Sequence, residues 1–123
     1  MSHEISQHFF FEAAHTLQRK VDAPGSARVH GHTYQAEVSV TGVPDARSGM
    51  VMDLALLRGR IEAVRAELDH HMLDEVAGLG VPTLENLCSY IAGQLSDYPG
   101  LSSVRVWRES AGDSCTLRIG AVR

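Results

Sequence analysis

The stretch His30-Gly31-His32-Thr33-Tyr34-Gln35-Ala36-Glu37-Val38-Ser39-Val40-Thr41 decides the architecture. His30, His32, Tyr34, Ala36, Val38 and Val40 share one side, and Thr33, Gln35, Glu37, Ser39 and Thr41 the other. That period of two belongs to a strand with one buried face. The two histidines continue the apolar side. Residues two apart on a strand point the same way, so both imidazoles can aim at one ion. Toward the N-terminus, residues 5–14 are rich in aromatic and apolar side chains and lead into His15 of Phe11-Glu12-Ala13-Ala14-His15. They read as a first strand that delivers a third imidazole at its end. Residues 16–29 hold Lys20, Asp22, Pro24, Gly25 and Ser26 without a steady period and read as a loop, a kind of segment that often carries function.

Toward the C-terminus, residues 42–49 form a turn region, after which Asp53 is placed to cap a helix. Leu54, Leu57, Ile61, Val64 and Leu68 recur at steps of three and four, one apolar stripe that ends near Asp69-His70-His71. Residues 78–82 break the chain before Thr83, the cap of a second helix carrying Leu84, Leu87, Ile91 and Leu95, and Pro99-Gly100 stops it. Strands over 101–109 and 114–122 follow, joined by Ser110-Ala111-Gly112-Asp113 as a hairpin loop. The order ββααββ predicts an α+β fold in which a four-stranded antiparallel sheet carries two helices on one face. With no repeat, linker or low-complexity tract, residues 1–123 are expected to form a single domain. A sheet this thin leaves its outer edges unpaired, which favours joining sheets between subunits.

Composition narrows the functional classes. A net charge of -4 gives no general attraction to nucleic acid or to acidic membranes, so an anionic substrate must be met by local cations. No segment approaches the roughly 20 apolar residues of a membrane helix, and the N-terminus lacks a basic stretch followed by an apolar one. Cys88 and Cys115 are too few for a zinc cluster and suit a reducing cytoplasm.

Three neutral imidazoles with one position left open is how a catalytic zinc is held, whereas structural zinc is usually closed by four protein ligands. A structural role for His30 and His32 stands beside that reading, and the same spacing suits cupins and carbonic anhydrases. His3, His8 and His71 read as surface or satisfied histidines. Asp69-His70 also fits a solvated helix end, and Glu85 a carboxylate placed for the helix dipole. Glu109 by default is a solvent carboxylate at a strand end.

Taken together and in order, these segments resemble the 6-pyruvoyltetrahydropterin synthase and 6-carboxytetrahydropterin synthase family. The motifs are Phe11-Glu12-Ala13-Ala14-His15, His30-Gly31-His32-Thr33-Tyr34, Gly49-Met50-Val51-Met52-Asp53, Leu68-Asp69-His70, Pro82-Thr83-Leu84-Glu85-Asn86 and Glu109. The resemblance implies the tunnelling fold (T-fold), in which trimeric barrels stack into homohexamers and sites lie between subunits. It implies zinc on His15, His30 and His32, a proton-transfer pair in Asp69 and His70, a pterin anchor in Glu109, and a pocket lined by Thr83 and Glu85. The implied substrate is 7,8-dihydroneopterin triphosphate, whose phosphates Arg19, Lys20 and Arg28 are near enough in sequence to meet; surface solubility is their other reading.

One position departs from the family. A cysteine, the usual general base, stands there four residues before the first histidine of His-Gly-His, and this chain has Ser26. A serine hydroxyl is far harder to deprotonate than a thiol, so Ser26 acts as a base only if His70 or another neighbour removes its proton. Otherwise His70 carries the proton alone. Asp74 stands where relatives commonly have asparagine, and Cys115 where some carboxy-type members have cysteine. The short chain, early start and Glu109-to-Cys115 turn resemble the 6-carboxytetrahydropterin branch, which feeds deazapurine synthesis toward queuosine. The alternatives are a 6-pyruvoyltetrahydropterin synthase, which eliminates triphosphate, and a pterin-binding relative whose chemistry has changed or been lost with the cysteine.

Overall fold

In the computed structural model, which describes residues 1–17 and 28–120, the chain runs β1 (His3–His15), β2 (His30–Gly42), α1 (Leu54–Leu68), a short 3₁₀ turn (Leu73–Glu75), α2 (Leu84–Gln94), β3 (Leu101–Arg108) and β4 (Asp113–Arg118). The sheet order is β1-β2-β3-β4, with every neighbouring pair antiparallel. This is the expected ββααββ T-fold sheet with two helices on one face. The helix caps lie where expected: the Asp53 carboxylate accepts from the Ala55 N–H, and Thr83 Oγ1 accepts from the Asn86 N–H.

The core lies between the sheet's inner face and the helices. Phe9, Phe11 and Ala13 of β1, Tyr34, Ala36 and Val38 of β2, and Val104 and Val106 of β3 are buried against Leu57, Ile61, Val64 and Leu68 of α1 and Leu87, Cys88, Ile91 and Leu95 of α2. Phe11 sits opposite Tyr34 in the register, and their rings stack 5.0 Å apart with planes 13° from parallel.

Three expectations shift. Leu54 is exposed at the start of α1, so the buried stripe begins at Leu57. The alternation of β2 breaks at a bulge between Ser39 and Val40, which buries Ser39 as well. Ser39 tolerates burial there: its carbonyl accepts from the Ser102 hydroxyl. β4 stops at Arg118, because the Ile119 N–H turns to the Ser102 carbonyl and Gly120 takes a positive φ of 74°. β3 ends at Arg108 rather than at Glu109.

Gly100 is needed for close approach rather than for conformational freedom. The Thr41 N–H donates to its carbonyl at 2.8 Å, and a methyl group on Gly100 would stand 2.6 Å from the Thr41 carbonyl oxygen. Gly100→Ala is therefore expected to lower stability by about 1–3 kcal/mol, as overpacked sites do. An unchanged urea midpoint would show that β2 and β3 separate there without strain.

Candidate metal centre

β1 and β2 bring His15 opposite His30, and His32 opposite Ala13. All three imidazoles lie on the inner face, and one ring nitrogen from each falls within 4.8 Å of the others. His15 Nε2 and His30 Nε2 are 2.9 Å apart. Carbonyl partners assign both tautomers: His30 Nδ1 donates to the Arg28 carbonyl at 2.8 Å, and His15 Nδ1 to the Pro82 carbonyl at 3.2 Å, with the Tyr34 hydroxyl 3.3 Å from the same nitrogen. Two Nε2 lone pairs therefore converge at a distance that repels unless a cation lies between them. Zinc bonds imidazole nitrogen at about 2.0–2.1 Å, so one ion spans that gap, and carbonyl-anchored second nitrogens are the usual support of such ligands. The donor set fits zinc.

The electrostatics favour the neutral form of His15 and His32. Burial lowers the His15 pKa, opposed mainly by the Pro82 carbonyl. Burial, then the Arg108 guanidinium, pushes His32 down to about 4. Tyr34, pushed up to about 12 by burial, remains a neutral phenol beside the triad. Below the centre the Asp74 carboxylate accepts from both the N–H and the hydroxyl of Thr16, which holds the chain as it leaves His15. Each carboxylate oxygen takes one of the two bonds, so Asp74 is an acceptor at both.

The remaining site residues fall in three places. A cavity of about 570 Å³ on the inner side is lined by His15, Tyr34, Thr83, Glu85, Arg108 and Asp113, so Thr83 serves both as cap and as wall. A second pocket, of about 520 Å³ on the β1 side, is lined by Glu12, Gly31, His32, Thr33 and His70. There Asp69, the C-cap of α1, accepts the Glu12 N–H on one oxygen and faces His70 Nδ1 at 2.9 Å on the other. The Glu12 N–H, then His70 and Arg65, hold the Asp69 carboxyl below its usual range. The His70 side chain is 77% exposed, presented outward. Glu109 lies in the turn after β3, exposed, in a third pocket with His32, Thr33, Gln35 and Ser110. Ser26, Arg19 and Lys20 lie outside the described residues, and Arg28 is exposed. Cys115 turns under α2, where its carbonyl accepts from the Cys88 thiol; it lines none of these three pockets.

Sequence reading missed Arg108. Val104, Val106 and Arg108 share one parity on β3, so counting by twos from the buried valines places Arg108 inward and Glu109 on the other side.

This sheet with two helices on one face, and three imidazoles gathered where β1 meets β2, defines a class of small T-fold proteins with a candidate metal centre. The family model described as 6-pyruvoyl tetrahydropterin synthase matches residues 4–119, and the chain belongs to that family of pterin synthases. It is 35% identical to a 6-carboxy-5,6,7,8-tetrahydropterin synthase from Synechocystis sp., over 83% of this chain and 83% of that one. It is 33% identical to a dihydroneopterin monophosphate aldolase from Pyrococcus furiosus, over 79% of this chain and 82% of that one. The structure of Caenorhabditis elegans 6-pyruvoyl tetrahydropterin synthase superposes with a TM-score of 0.83 at 27% identity, covering 96% of each chain.

Dialysed against zinc and then buffer, the protein is expected to keep one zinc per chain by elemental analysis. His15→Ala, His30→Ala and His32→Ala are each expected to lose it while keeping the far-ultraviolet circular dichroism of the fold. Full retention in any of the three would remove that histidine from the ligand set.

Proposed function

We propose that this protein is a zinc-dependent lyase acting on 7,8-dihydroneopterin triphosphate to give 6-carboxy-5,6,7,8-tetrahydropterin. The observation that carries the reading is the pair of carbonyl-anchored imidazoles whose Nε2 atoms converge at 2.9 Å, in a chain related to an enzyme of that name. Zinc on His15, His30 and His32 supplies Lewis acidity toward the oxygens of the substrate's side chain, which acidifies the neighbouring C–H and O–H groups. The protein's own residues do the rest. His70, its tautomer fixed by Asp69, moves a proton at the side-chain carbons near neutral pH. Thr83 and Glu85 line the cavity that receives the pterin, and Glu109 offers two oxygens to the adjacent N–H donors of the amino-pyrimidine edge.

His70 and Glu109 open into pockets other than the one that holds Thr83 and Glu85. Their outward presentation supports a site completed between subunits of a homohexamer, a dimer of trimers. Two unbridged cysteines, Cys88 and Cys115, suit work in the cytoplasm. Ser26 stands in for the usual cysteine; we assign the main proton transfer to His70, with Ser26 as a hydroxyl that His70 can activate.

Two observations favour other outcomes of the same chemistry. The Caenorhabditis elegans neighbour favours 6-pyruvoyltetrahydropterin, and the Pyrococcus furiosus relative, named an aldolase, favours carbon–carbon cleavage. A pterin-binding role without turnover follows if Ser26 cannot be activated.

Incubation of zinc-loaded protein with 7,8-dihydroneopterin triphosphate, products identified by mass, separates all of these. We expect 6-carboxytetrahydropterin from the unmodified chain and from Ser26→Ala, and a loss of about 100-fold or more in kcat for His70→Asn, the usual scale of a general acid-base residue. Silence in the unmodified chain, with turnover restored by Ser26→Cys, would overturn the lyase in favour of the binding role.

A further inference from the structure

Among the described residues, Arg108 is the charged side chain that reaches the triad itself. It ends β3 on the inner face, its Nη1 lies 3.3 Å from His32 Nε2, and its Nη2 pairs with Asp113 across the β3/β4 hairpin. The side chain is only 14% exposed, so its charge is largely withdrawn from water. The position is also costly in charge. Three neutral imidazoles leave a divalent cation uncompensated, and a guanidinium beside it adds a like charge that the half-exposed Asp113 only partly offsets. A lone pair of His32 that accepts from Arg108 is moreover closed to a cation. An anionic oxygen at Nη1 would give that donor an acceptor, leave the His32 lone pair to a cation and offset the added positive charge.

We propose that Arg108 is a specificity-determining residue that favours the carboxylate-bearing product, holding that group on the arm that enters the inner cavity. The inference rests on the pterin reading and narrows it. Glu85 and Thr83 line the α2 side of the cavity, and Arg108 on the β3 side meets the negative end. The guanidinium is unsuited to the ring's amino-pyrimidine edge, since both would present donors.

The test compares binding of pterin-6-carboxylate and 6-hydroxymethylpterin to zinc-loaded protein by fluorescence titration. The unmodified chain is expected to prefer the carboxylate by about 10-fold or more, as one charge-assisted contact provides. Arg108→Gln should bring the ratio near one with little change for hydroxymethylpterin, and Arg108→Lys should keep part of it. Asp113→Asn, which releases the guanidinium, should raise the ratio; a gain cannot come from misfolding. An unchanged ratio in Arg108→Gln overturns the proposal. If neither pterin binds, the pterin reading fails and cobalt-loaded protein titrated with acetate and inorganic phosphate decides the rest. An Arg108-dependent visible-spectrum change with acetate supports a carboxylate site, and one with phosphate alone or independent of Arg108 overturns it.

Discussion

The register between β1 and β2 governs everything near the metal centre. Pairing His15 with His30 sets the three imidazoles on one side of the ribbon, and a slip of one residue would send those of one strand to the opposite face. The Phe11–Tyr34 stack, two pairs further into the core from Ala13 and His32, makes that slip expensive because it would expose a buried aromatic pair. The same tyrosine then lends its hydroxyl to His15. Core packing and ligand geometry are thus one interaction seen from two ends.

The ribbon also explains where the cavity lies. β3 pairs with β2 only as far as Gln35 opposite Trp107, so the part of β2 from His30 to Tyr34 runs past the end of its neighbour. Pro82 and Thr83 at the start of α2 close one side of the resulting recess, and the β3/β4 turn closes the other. The two chemical tasks fall to opposite surfaces of one two-stranded element. The inner surface gathers neutral imidazoles, while Asp69 and His70 are clipped to the outer margin of β1. His32, which lines both outward pockets through its strand, stands between them.

Much of this was legible from period and caps. The alternation in residues 30–41 carried the strand and put both of its histidines on one face, and the spacing of Leu57, Ile61, Val64 and Leu68 carried the first helix. What was not legible depends on contacts between segments distant in sequence. The bulge that buries Ser39 arises from the way β3 pairs across it, and no local pattern in β2 announces it. Arg108 is legible only by counting: the parity of Val104 and Val106 assigns it the inward position, one residue before the exposed Glu109. Glu109 was read as the end of a strand that stops before it. The carbonyl supports, Arg28 and Pro82, are main-chain groups, which side-chain identity does not reveal.

The attachment of the segment after α1 has a consequence for how this sheet meets other chains. Along the free margin of β1, Arg65 donates to the Phe10 carbonyl, the His70 N–H to the Glu12 carbonyl, Asp69 receives the Glu12 N–H, and the Ala14 N–H bonds to the His71 carbonyl. Half of that margin is therefore sealed. Toward His3 no main-chain group of the described residues bonds to it. A strand pairing with this margin finds free main-chain groups only before Phe10, so the seal acts as a molecular stop for pairing along β1.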